Sequence, residues 1–261
     1  MSRIAAKFEK LKREGRKGFI PFVTAGDPDL DTSYEIILKL AELGATVIEL
    51  GVPFSDPMAD GPTIQMSSQR ALKQGVNLSG IFELVERVRE KTEVPIVLFS
   101  YLNPLLQFGL ERLSEKAAIA GIDGILVTDV IDEEARKFSD ILQVNGLDLI
   151  SLVAPTSTDD RIEKVTSVSS GFIYAVSRAG VTGAQNNVSS SAENLVGRVR
   201  KFTDLPVAVG FGISTRQQVE EVWQFADAAV VGSAIVANIE RSGKSGDVVA
   251  NLELFVTSLV K

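Results

Sequence analysis

The chain has 261 residues, 45% hydrophobic, with 21 Gly, 9 Pro and a net charge of −7. This balance fits one globular domain spanning 1–261. The acidic charge disfavours nucleic acid and anionic membrane as main partners but leaves a local phosphate site open. There is no Cys and no His, which excludes disulfides, thiolate and imidazole chemistry and typical zinc sites. Acid–base work is left to Asp, Glu, Lys or Tyr.

Ile4, Phe8 and Leu11 fall at i, i+4 and i+7, predicting a short amphipathic N-terminal helix with Ser2 as its cap. The basic start lacks the apolar core of a signal peptide, and Glu9 and Glu14 argue against a transit peptide. No apolar run approaches the ~18 residues of a membrane helix, so the cytoplasm is the expected compartment. Apolar runs then alternate with helical spacing. Strands are predicted at Gly18–Thr24, Thr46–Leu50, Pro95–Ser100, Gly124–Val127, Asp148–Val153, Gly171–Val176, Pro206–Val209 and Asp227–Val231. Helices are predicted at Asp31–Leu43, Thr63–Lys73, Ser79–Lys91, Leu110–Ala120, Ile131–Asn145, Thr158–Val168, Ala192–Phe202 and Thr215–Phe225. A short helix near Ala234–Ile239 and a longer one at Asp247–Val260 close the chain. Eight apolar β-α units in ~250 residues predict an α/β fold of the (β/α)8 TIM-barrel type, with an extra N-terminal helix and a short extra helix before the last.

A barrel places its site at the C-terminal ends of the strands. That filter keeps Glu49, Tyr101, Asp129 and Tyr174. It rejects the lysines, which fall in helices, before strand one or between the last helices. Glu49 stands among Val47, Ile48 and Leu50, and desolvation there favours its protonated form, suited to giving and retaking a proton. A buried acid satisfied by a local donor is the structural alternative. The segment after Glu49 is broken by Pro53, Pro57, Gly61 and Pro62 and carries Asp56 and Asp60.

Gly-rich turns follow strands six, seven and eight: Gly180-Val-Thr182-Gly183-Ala, Gly210-Phe211-Gly212-Ile-Ser and Gly232-Ser233-Ala. Late-loop glycines and a short helix form the recurring phosphate site of barrels, where amide N–H groups and the helix dipole face the anion. Ser233 adds a hydroxyl.

The stretches PFVTAGDPD (21–29), ELGVPFSDPMADGPTIQ (49–65), YLNP (101–104), SRAGVTGA (177–184), VGFGIS (209–214) and VVGSAIV (230–236) resemble the tryptophan synthase alpha subunit family over essentially the whole chain. The resemblance implies retro-aldol cleavage of indole-3-glycerol phosphate to indole and glyceraldehyde 3-phosphate. It implies that Glu49 moves protons and Asp60 accepts a hydrogen bond from the indole N–H. Phe22, Tyr101 and Leu126 would wall the indole. Tyr174, Thr182, Gly183, Phe211, Gly212, Gly232 and Ser233 would line the glycerol and phosphate end. It further implies a beta subunit partner in an alpha2-beta2 heterotetramer, receiving indole and carrying the pyridoxal phosphate, with no cofactor or metal in this chain. The interface would lie around Pro53 to Asp56 and Asn103-Pro104. Two positions depart: Ile131 stands where the family commonly has proline, and Gln185-Asn186 where it often has arginine. Three other readings are a stand-alone indole-3-glycerol-phosphate lyase, a catalytically silent allosteric barrel, and a sugar-phosphate enzyme with Mg²⁺ on Glu49, Asp56 and Asp129.

Overall fold

The computed structural model describes residues 1–130, 132–176, 188–210, 212–243 and 246–261. Eight strands form a closed barrel in chain order: β1 (Gly18–Thr24), β2 (Ile48–Gly51), β3 (Ile96–Ser100), β4 (Gly124–Val127), β5 (Asp148–Val153), β6 (Ile173–Val176), β7 (Val207–Gly210) and β8 (Ala228–Val231). All neighbours are parallel, and β1 closes against β8 with Ile20 opposite Val230. The predicted strands all form, with ends shifted by up to two residues.

Alternation along each strand sorts the side chains. Ile20, Val47, Val97, Leu126, Ile150 and Phe172 fill the barrel interior. Phe19, Ile48, Leu50, Ile96, Leu98 and Ile125 face outward into the core beneath the helices. Two apolar faces per strand are what a sheet covered by helices requires.

The first helix, α1 (Arg3–Arg13), is capped by Ser2 as expected. It closes the base of the barrel: Ile4 and Phe8 join the interior cluster, and the Phe8 and Phe172 rings lie 5.8 Å apart. Its start is tied down by charge. Ser2 Oγ donates to Asp148 at 2.6 Å, and Arg3 pairs with the buried Asp123, which also holds Arg89 at 2.7 Å. Lys17 donates to the Ala226 carbonyl, at the same end as the start of β1.

The outer ring begins with α2 (Leu30–Glu42), α3 (Pro62–Lys73) and α4 (Leu78–Arg89). Proline takes the first position of α3, where no amide donor is needed. A helix absent from the predicted elements, α5 (Leu102–Phe108), follows β3. Its proline sits in the first turn, where proline is tolerated. The ring continues with α6 (Leu110–Ala120), α7 (Asp132–Val144), α8 (Asp159–Val168), α9 (Val188–Val199) and α10 (Arg216–Trp223). The predicted short helix after β8 is α11 (Ser233–Gly243), longer than expected at 11 residues, and α12 (Val248–Val260) closes the chain.

Candidate active site

Glu49 sits one residue into β2, in register with Phe22 on β1 and Val97 on β3. Its neighbours Ile48 and Leu50 face the outer helices, so alternation sends Glu49 into the barrel. It is 1% exposed, and its Oε1 is buried with no hydrogen-bond partner among the described residues. That orphaned atom removes the alternative of a fully satisfied structural acid. Burial holds the carboxyl well above the usual carboxylate range, which favours the protonated acid.

Tyr174 on β6 comes from the strand opposite β2 in the closed order. Its hydroxyl is pushed well above its ordinary value by burial first and by the Glu49 carboxyl second. A Cβ at Gly210 would stand 2.8 Å from Tyr174 Cζ and 2.9 Å from Val230 Cβ. Gly210 therefore leaves the room that the Tyr174 ring occupies.

An apolar wall stands beside Glu49. Phe22 and Phe99 meet edge to face at 5.2 Å, and Ile64 and Val236 pack with them. Gly51 makes room, since a Cβ there would lie 2.9 Å from Phe22 Cε2. Leu126 lies within the interior cluster. Sequence reading missed Phe99 and Ile64. Alternation from Val97 would have turned Phe99 inward, whereas no local pattern announces Ile64.

Asp60 sits in the proline-broken loop after β2. Its carboxyl is raised to about 6 by burial, with a hydrogen bond from the Tyr101 hydroxyl pulling the other way. The same hydroxyl accepts the Ala59 N–H at 2.9 Å. Tyr101 thus grips the loop at two adjacent residues, and burial followed by Asp60 drives its own proton loss far above neutral pH. From the other side, Gln65 Nε2 donates to the Asp60 carbonyl at 2.9 Å.

The phosphate expectation is carried by the start of α11. The Ile235 and Val236 amides return to the Gly232 carbonyl, leaving the amides just after Gly232 without partners inside the helix. Ser233 is exposed. A Cβ at Gly232 would lie 3.5 Å from Phe22, an ordinary contact, so packing does not demand glycine there. Gly212 has φ +79°, a left-handed turn that favours glycine. Thr182, Gly183 and Phe211 lie outside the described residues, as do Ile131, Gln185 and Asn186.

Pro53, Asn103 and Pro104 do come together, lining a groove of about 410 Å³ with Val52, Phe54, Leu72 and Phe108. Pro53 itself is buried and forms the floor of that groove. Asp56 is exposed beside it, accepting from Ser55 Oγ at 2.5 Å. Asp129 has a structural partner at the same end of the barrel. Beyond the C-terminal end of β4 it is exposed and accepts the Leu102 N–H at 2.7 Å, and its charge acts on the neighbouring Tyr101 hydroxyl. It caps α5, because the first amides of a helix need an acceptor. Among the described residues no three acidic side chains gather as a metal site, so the arrangement of Glu49, Asp56 and Asp129 around Mg²⁺ does not form.

A family profile described as "Tryptophan synthase alpha chain" matches residues 8–260. The tryptophan synthase alpha chain of Solibacter usitatus is 49% identical over 259 residues, 99% of this chain and 97% of that one. The crystal structure of tryptophan synthase subunit alpha from Legionella pneumophila superposes with a TM-score of 0.92 at 33% identity, covering 99% and 97% of the two chains. A chain of the tryptophan synthase complex from Pyrococcus furiosus gives 0.84 at 36% identity, covering 93% and 97%. The buried lone carboxyl, the aromatic wall and the open helix start therefore sit in a chain that belongs to the tryptophan synthase alpha chain family.

Proposed function

We propose that this chain is the lyase subunit that cleaves indole-3-glycerol phosphate into indole and glyceraldehyde 3-phosphate. The observation that carries the reading is Glu49: a buried carboxyl with an unpartnered oxygen beside an aromatic wall. As the acid, Glu49 delivers its proton to indole C3. The electron demand reaches the ring nitrogen, whose N–H donates to the Asp60 carboxylate. Glu49, now a carboxylate, takes the proton of the glycerol hydroxyl next to the ring. That carbon becomes the aldehyde as its bond to C3 breaks, and the bonding pair returns to the ring. Glu49 ends as it began, so no net proton is consumed.

Phe22, Tyr101 and Leu126 would enclose the indole, and the helix start at Gly232-Ser233 would hold the phosphate with Gly212. Thr182, Gly183 and Phe211 are assigned to the same end on the family resemblance alone. The whole chain, 1–261, acts as one barrel. Its partner is the tryptophan synthase beta subunit in an alpha2-beta2 assembly, docking over the groove of Pro53, Asn103 and Pro104 with Asp56 at its edge. Pyridoxal phosphate is assigned to that partner. No helix among the described residues is long and apolar enough to cross a membrane, and we place the enzyme in the cytoplasm.

The test is indole formation with and without a beta subunit. A weak rate alone, strongly raised on mixing together with a shift in assembly size, is the expected result. A rate and an assembly state both indifferent to the beta subunit would sink the assignment.

A further inference from the structure

The helix that follows the Asp60 loop is fastened to β1 along one face. Ile64, Ser67 and Arg70 stand at three-residue intervals on α3, so they line one side of it. Ile64 packs on Phe22. Ser67 and Thr24 share a buried hydrogen bond of 2.7 Å. Arg70 grips Asp27, just beyond β1, with both arms of its fork: Nε to Oδ1 at 2.7 Å and Nη2 to Oδ2 at 2.8 Å. Asp27 is 3% exposed. A bidentate guanidinium–carboxylate pair fixes angle as well as distance.

The third guanidinium nitrogen reaches a different part of the site. Arg70 Nη1 lies 3.5 Å from Glu240 Oε1 on α11. One turn earlier on α11, Val236 packs with Phe22 and Ile64, and that helix begins at Ser233. One side chain therefore joins β1's loop, the helix that carries Asp60 at its entrance, and the helix whose start forms the phosphate cradle. Asp60 follows α3 closely, because Gln65 in its first turn holds the Asp60 carbonyl.

We propose that Arg70 is a positioning residue: held by Asp27 and Glu240, it fixes the distance between Asp60 and the helix start that takes the substrate's phosphate. It touches no substrate. The proposal rests on the cleavage reaction above, since that substrate must meet both ends at once. Loosening one end then misplaces the indole relative to Asp60 and Glu49.

The experiment uses the full chain with its beta subunit. Three variants are compared: Arg70→Lys, which keeps the charge but not the fork; Asp27→Asn with Arg70→Met, which leaves no stranded buried carboxylate; and Arg89→Lys, a control at the buried Arg89–Asp123 pair of the barrel base. In the double variant kcat should fall about tenfold or more and KM should rise several-fold, as small misplacements cost rate steeply. Arg70→Lys should fall between it and the wild type. Amide exchange of Met58–Gln65 should quicken in both. Arg89→Lys should lower thermal stability while kcat, KM and that exchange stay put.

Arg70 variants that keep wild-type kcat, KM and exchange overturn the proposal. So does activity lost only in step with folded protein. If the double variant fails to fold, Arg70→Lys decides alone. A wild type that makes no indole refutes the functional reading instead, and unchanged exchange in Arg70→Lys would still refute the brace.

Discussion

Glu49 on β2 and Tyr174 on β6 face each other from opposite sides of the barrel, and the carboxyl adds to burial in keeping the phenol proton in place. Two groups that both resist ionisation thus share a dry interior. Burial keeps the carboxyl protonated and able to give that proton, whereas the phenol keeps its own and can donate or accept a hydrogen bond.

Replacing Glu49 with Gln should lower kcat by about 10²–10⁴-fold, the usual scale for a positioned acid–base group, while circular dichroism stays native. Glu49 binds its proton more tightly folded than unfolded. Its stabilising contribution is therefore complete below the unfolded value of ~4.3 and fades as pH rises, by at most about 1.4 kcal/mol per pH unit. Urea unfolding at pH 5 and pH 8 should show a shallower slope in Glu49→Gln than in the wild type, the remainder coming from raised carboxyls such as Asp60.

In the proposed mechanism only the Asp60 carboxylate accepts the indole N–H, so the acid limb of kcat/KM should fall near its value of about 6. Below that pH the group is protonated and turnover drops. Asp60→Asn should be slow at every pH, with no limb left to measure. A limb that survives in Asp60→Asn would assign it to another group.

Tyr101→Phe tests the grip on the Asp60 loop. The lost hydroxyl removes the acceptor of the Ala59 N–H and the bond that draws the Asp60 value down. The acid limb should move to higher pH and kcat should fall about tenfold. An unmoved limb would mean the hydroxyl does not act on Asp60.

Gly210→Ala should drive a methyl against the Tyr174 ring and Val230. A stability loss of about 1–3 kcal/mol is expected from overpacking, with impaired turnover. Gly232→Ala meets only an ordinary contact with Phe22 and should keep its melting temperature while KM rises. The two glycines look alike in sequence and are separated by these two measurements.

Much of the barrel could be read directly from the chain. The eight apolar runs, the Ser2 cap and the breakers around Pro62 are local signals, and strand and helix periodicity are local physics. The absence of Cys and His left the carboxyls foremost, and the strand-end position narrowed these to Glu49 and Asp129. Tertiary structure decided what depends on neighbours distant in sequence. It left Glu49 Oε1 without a partner among the described residues, laid Tyr174 over Gly210, and gave Asp129 the first amide of α5 as its partner. It also joined Arg70 to Asp27 and Glu240 across 43 residues on one side and a separate helix on the other. Sequence alone determined which groups are able to carry protons and which runs form the barrel, because residue chemistry and period are properties of short segments. Which carboxyl is buried alone, and how α3 is tied to β1 and α11, are set by contacts that exist only once the barrel has closed.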